Sequence, residues 1–166
     1  MSFRTAPRRC TLPMSLAWMA ASLLPAEPAA AQPPGPQHTA QTQAQACMQA
    51  HFAGDMGFTP ATVARKAACL SPGLQQDIAA YFARPAAPDE VPAIDGDPFT
   101  NSQEYPRRFR VGPARLRGER AEVPVTLSGH GRHERLTLLL RRDPAGAWRI
   151  DDLRYADGSA LRALLR

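Results

Sequence analysis

Lysine is almost missing from this chain: of its 20 Lys and Arg residues, only Lys66 is a lysine. So lopsided a ratio reads as the mark of a GC-rich genome, not of phosphate recognition. Long apolar runs are missing too. The most apolar stretch, "LPMSLAWMAASLLPA", is too short and too interrupted to cross a bilayer. No glycine-rich phosphate loop occurs, no G-x-S-x-G elbow, and no Cys–His arrangement suited to a nucleophile. His130 and His133 in "GHGRH" lack a third ligand at zinc-site spacing, so neither a metal site nor a cofactor is expected.

What is there begins with targeting. Arg4, Arg8 and Arg9 precede the apolar stretch, and three alanines at 29–31 follow it with the small side chains a signal peptidase needs. Residues 1–31 therefore read as a secretory signal peptide cleaved after Ala31. Cys10 lies before the apolar run, so it is no lipidation cysteine. Removing 1–31 takes three basic residues and one acidic one from the formal +5, leaving 17 − 14 = +3. That is an ordinary surface and points away from nucleic acid. The mature chain is expected to be periplasmic or secreted, without stable membrane insertion. In such a compartment Cys47 and Cys69 are expected to form a disulfide, with two buried free thiols as the alternative.

Residues 32–43 ("QPPGPQHTAQTQ") read as a flexible Pro- and Gln-rich leader, and 44–166 as a single domain. "AQACMQAHFA" predicts a first helix with Cys47, Ala50 and Phe52 near one face. Two further helices announce themselves by the same device, Thr59-Pro60 and Ser71-Pro72, an N-cap followed by proline at the first helical position. In the third, Leu74, Ile78, Tyr81 and Phe82 form an apolar stripe, and Pro85 stops it. Residues 86–106 are proline-rich and aperiodic. Beyond them the hydrophobic period changes from 3.6 to 2.

Four strands are expected, joined by short turns into an antiparallel meander with one buried face. The first runs from Phe109 through Val111 to Leu116, with a one-residue slip at Gly112-Pro113 that predicts a β-bulge. The second carries Ala121, Val123, Val125 and Leu127 inward, the third Leu136, Leu138 and Leu140. The last holds Trp148, Ile150, Leu153 and Tyr155, with another slip at Asp151-Asp152. Ser159 is expected to cap a short C-terminal helix. The class is α+β, three helices followed by a four-stranded sheet.

Three segments, "GDPF" at 96–99, "WRIDDLRY" at 148–155 and "DGSALR" at 157–162, resemble the bacterial envelope family called domain-of-unknown-function family 3828. The resemblance covers roughly residues 44–166. It implies an exported protein whose curved antiparallel sheet is clasped by helices, a nuclear-transport-factor-like cone or cystatin-like layer fold. It implies no activity, because the family has none to lend. Some members are small lipoproteins; this chain has no cysteine directly after its apolar run.

In such cones a carboxylate between sheet and helices often serves as a general base. The candidates are Asp97, Asp151 and Asp152. For Asp97, turn chemistry competes with catalysis: an Asp before Pro98 suits an Asx turn, with Phe99 pinning the segment to the core. On that reading Asp97→Asn costs under about 2 kcal/mol. Asp151 and Asp152 read as turn-capping or ion-pairing groups, near Arg149 and Arg154 if the slip is a bulge. His51 reads as a helix-end side chain. Arg115, Arg117, Arg135, Arg141 and Arg149 share the polar side of the sheet; they read either as a solvated face or as a ridge for an acidic partner or anionic polymer. The function expected is binding, of a small ligand or an envelope protein, with an immunity-like role in the same class. The alternative is a small cone-fold hydrolase, isomerase or dehydratase with an aspartate base.

Overall fold

The computed structural model describes residues 35–54, 56–85 and 93–166; the expected signal peptide lies outside them. Four α-helices and a five-stranded antiparallel sheet make an α+β fold. Helix α1 spans Pro36–Phe52, α2 Pro60–Arg65 and α3 Pro72–Ala83, with a 3-10 turn at Ala67–Cys69 between the last two. The strands are β1 (Arg108–Val111), β2 (Arg115–Arg117), β3 (Arg120–Gly129), β4 (Arg132–Arg142) and β5 (Trp148–Tyr155), and α4 (Leu161–Leu164) ends the chain.

Helix α1 begins at Pro36, so most of the stretch expected to be a flexible leader is its first two turns. Ala40 and Ala44 are fully buried. The Trp148 indole N–H of β5 donates to the Thr39 hydroxyl at 3.2 Å, tying the helix start to the sheet. The sequence hid this because small residues and glutamines carry almost no hydrophobic amplitude, while alanine still packs well where backbones approach. The buried stripe is Ala40, Ala44, Cys47, Met48 and His51. Ala50 is exposed and Phe52 only half-buried, which corrects the face assigned from the sequence. The other two helix starts follow the pattern expected. Thr59 and Thr62 form a reciprocal capping box ahead of α2, and the Ser71 hydroxyl accepts from the Leu74 N–H at α3.

The sheet order is β1-β3-β4-β5, with β2 beside β1 on the same edge of β3. Thus the expected first strand is two short ones. Val111 pairs with Val125 but Arg115 with Glu122, so three residues on one side face two on the other, the slip read at Gly112-Pro113. Gly112 is required there, because a Cβ would stand 2.8 Å from the Pro124 ring. The second slip also holds: Leu139 pairs with Asp152 and Leu140 with Ile150, leaving Asp151 as the bulged residue. Alternation puts Val123, Val125, Leu138, Leu140 and Leu153 into the core under α1 and α3. Ser159 does not cap α4. Its N–H and hydroxyl both go to Asp157 Oδ1, and Ala160 is the N-cap residue, without a side-chain bond.

Cys47 of α1 and Cys69 of the 3-10 turn are disulfide-bonded across a sequence separation of 22. In the chain-entropy account a loop of that length is worth about 3 kcal/mol. The Cys47→Ala/Cys69→Ala protein is therefore expected to lose about 3 kcal/mol of unfolding free energy in urea. A loss below about 1 kcal/mol would mean the helices are held together without the bridge.

Candidate functional site

The segment at 94–106 carries the chain from the helical layer to the sheet, and it is locked from both ends. Asp97 and Ser102 form an isolated β-bridge, the Asp97 N–H donating to the Ser102 carbonyl at 2.9 Å. Gly96 sits at φ +106 with no room for a Cβ, which would meet the Ser102 carbonyl at 2.7 Å. The Phe99 N–H donates to Asp97 Oδ1 at 3.0 Å, the Asx turn that Asp-Pro predicts. Phe99 is 4 % exposed and packs against the His51 and Phe58 rings. The Tyr155 hydroxyl donates to the Pro98 carbonyl at 3.0 Å. Burial, with the nearby carboxylates of Asp152, Asp97 and Asp157, pushes that phenol well above its ordinary value.

Asp97 does more than close a turn. Its other carboxylate oxygen lies 2.7 Å from His51 Nε2, and His51 Nδ1 lies 2.7 Å from Lys66 Nζ. Asp97, His51 and Lys66 are 2 %, 2 % and 4 % exposed. The lysine head also lies 4.5 Å from the centre of the Phe99 ring. A lysine ammonium has donors and no acceptor, so Nδ1 accepts and the imidazole proton resides on Nε2, which donates to Asp97. The ring thus bridges the buried Lys66 head and the buried Asp97 carboxylate. Burial alone would raise the Asp97 carboxyl. The hydrogen bond and electrostatic pull of His51, with the Phe99 and Gly57 N–H groups, outweigh it and hold the group below its ordinary value.

This chain of three was missed at the sequence level, where His51 was read as a helix-end side chain and Lys66 only as a compositional oddity. The signal was present in the periodicity. Val63, Lys66 and Leu70 follow helical spacing on a buried side, and His51 continues the stripe of Ala44, Cys47 and Met48. A polar residue at a stripe position announces a buried partner.

The other two aspartates are not brought to Asp97. Asp151 Oδ1 accepts from the Ser71 hydroxyl at 2.6 Å and from the Arg162 guanidinium at 3.0 Å, and Arg162 also pairs with Asp77. Asp152 Oδ1 accepts from the N–H groups of Leu153 and Arg162, fixing the start of α4. Both are structural, but their partners are Ser71 and Arg162 rather than Arg149 or Arg154. Arg149 instead pairs with Asp143 at 3.0 Å. Next to these ion pairs runs a groove of about 610 Å³ lined by Pro72, Arg141, Arg142 and Asp143 among others.

One further cleft, of about 380 Å³, opens between the 94–106 segment and the β3–β4 hairpin. Ile94, Pro98, Leu127, Tyr155 and Leu164 give it apolar surface, and Asp95, Gln103, Glu104, His130, Arg132 and Glu134 give it polar groups. Asp97 borders it, yet the carboxylate side chain is wholly inaccessible and bonds inward. His130 reaches the rim from a left-handed backbone, φ 50. His133 lies on the opposite parity in β4, paired with Ser128, and no group of three metal-ligating side chains occurs among the described residues. No family model matches this chain, and neither the curated proteins nor the solved structures contain a match. The resemblance carried by "GDPF", "WRIDDLRY" and "DGSALR" therefore stands on those residues alone.

Two outcomes follow from the buried chain. Breaking a buried, hydrogen-bonded ionic contact by removing the charge of one partner costs about 3–5 kcal/mol. Asp97→Asn is expected in that range by urea denaturation, above the 2 kcal/mol that a turn role alone allows; a smaller loss contradicts the bridge. The pH dependence has a definite sign. A carboxyl whose folded value is depressed adds stability that is complete above its unfolded value, near 3.9, and lost as pH falls through the folded one. Wild-type protein should thus lose stability below about pH 4 with a component absent from Asp97→Asn. Identical acid limbs would rule that component out.

Proposed function

We propose that this protein is an exported binding domain that takes a small polar ligand in the cleft between the 94–106 segment and the β3–β4 hairpin. The observation that carries the reading is the cleft itself. Its volume of about 380 Å³ falls in the range of small-molecule sites, and its lining is more polar than apolar. The three aspartates weighed as general bases support binding over catalysis. Asp97 is sealed against His51, and Asp151 and Asp152 hold Ser71, Arg162 and the start of α4. A base must reach a substrate proton, and each of these carboxylates is already engaged in holding the fold.

Export to the periplasm or beyond belongs to the same proposal and rests on the signal-peptide pattern of residues 1–31, with the Cys47–Cys69 bridge in accord with an oxidising compartment. The resemblance to the envelope family, and with it the cone-like arrangement of helices over a curved sheet, is likewise part of this reading. Among the described residues no helix is long and apolar enough to cross a membrane.

Native mass spectrometry of protein taken from the envelope fraction of its own host tests the cleft. Gln103 is exposed on the cleft wall, so Gln103→Trp fills space there without touching the core. A bound mass retained by wild type and missing from Gln103→Trp is expected. A bare wild-type chain, or a mass that Gln103→Trp keeps, would move the ligand elsewhere.

A further inference from the structure

The sheet has a second face, pointing away from the helices, and its composition is extreme. The strand register places Arg117 opposite Arg120, Arg120 opposite Arg141, and Arg141 opposite Arg149, four arginines in one continuous row across the strands. The same parity carries Arg108 and Arg110 on β1, Arg115 on β2, Arg135 on β4 and Arg154 on β5. Against these nine cations the face holds two acids, Glu122 and Asp152, a formal excess of 9 − 2 = +7. That exceeds the whole chain's +5, so the rest of the molecule is on balance acidic. Glu122 pairs with Arg117 and Arg154, and Arg149 with Asp143. The remaining six arginines have no carboxylate within ion-pair distance among the described residues.

Like charges directly opposite on neighbouring strands are destabilising, and here three such pairs occur in succession. Within that row Arg117 and Arg149 each have a carboxylate, whereas Arg120 and Arg141 between them have none among the described residues. The arrangement is consistent with a face completed by external anions, and its layout narrows their kind. The arginines occupy several rows in both directions of the sheet, where a linear polymer would follow one line. No Phe, Tyr or Trp stands on this face, so it lacks both the aromatic anchors of a protein interface and the stacking platforms that hold single-stranded nucleic acid. Strands lie about 4.8 Å apart, so guanidinium groups are offered as a two-dimensional array, and guanidinium suits phosphate geometry.

We propose that this arginine face docks on an anionic phospholipid surface, phosphate headgroup against guanidinium, without inserting. It is a second site, independent of the cleft. Each arginine near such a surface strengthens binding about fivefold, and the attraction is screened within a Debye length.

Sedimentation of the full chain with phosphatidylcholine vesicles containing about 30 % phosphatidylglycerol, beside vesicles of phosphatidylcholine alone, tests it. The N-terminal stretch, with Arg4, Arg8 and Arg9 before its apolar run, is present in every sample, so the substituted protein isolates what the face contributes. The expected result is at least about tenfold tighter binding to the anionic vesicles at low salt, fading as salt is raised. Arg120→Gln/Arg141→Gln should weaken it about 25-fold, with a melting temperature unchanged or higher because repulsive pairs are gone. Equal binding to both vesicle types, or an affinity the double substitution leaves alone, would overturn the proposal. So would capture by a polyuronate with no preference among vesicles, which would assign the face to an acidic polysaccharide.

Discussion

Two ions sealed inside one small domain are the constraint on which the architecture turns. Taking an ammonium and a carboxylate out of water costs several kcal/mol each, and their attraction repays it only with good geometry and no bonding group left over. Lys66 and Asp97 meet that demand through His51, whose ring spans them with 2.7 Å contacts on both sides. The three residues come from three separate pieces of chain: α1, the end of α2 and the crossover to the sheet. One hydrogen-bonded line therefore fixes where the helical layer ends and where the sheet begins. Around it lie the Cys47–Cys69 bridge, one helical turn from His51 on α1 and three residues from Lys66, and the Phe99 ring beneath the lysine head. Such an arrangement specifies one packing more than it adds stability, because a displaced member would break buried hydrogen bonds on both sides of His51.

Much of the fold was legible from local rules. Thr59-Pro60 and Ser71-Pro72 marked two helix starts, since a capping hydroxyl and a proline without an N–H suit those positions and few others. The two register slips were visible because period-2 alternation breaks by a single residue at each. What escaped was information that local patterns do not hold. Residues 36–43 looked like a leader because Ala40 is too small to register in a hydrophobic pattern, although it is wholly buried. Ser159 looked like a cap, but Asp157 two residues earlier took its hydroxyl.

The candidate site divides the same way. The Asx turn at Asp97 follows from Asp-Pro, and Phe99 is the anchor it was expected to be. The partners of the second Asp97 oxygen are 46 and, through His51, 31 residues away, and nothing at that distance is written in a local pattern. Arg115, Arg117, Arg135 and Arg141 were assigned to the outer side of the sheet, where they are exposed, and Arg149 is half-buried at its edge. Alternation alone gives that side. The row Arg117–Arg120–Arg141–Arg149 needs the pairing register, which only the assembled sheet supplies.

The central claim is that His51 bridges Lys66 and Asp97, Nδ1 accepting from the lysine and Nε2 donating to the carboxylate. Nitrogen-15 NMR of the imidazole at neutral pH reads that directly. The account predicts one slowly exchanging proton on Nε2, coupled to that nitrogen, and an acceptor shift at Nδ1 that moves when Lys66 is replaced by methionine. Two nitrogens averaged by tautomer exchange, as in a histidine open to water, would show that the buried chain does not exist.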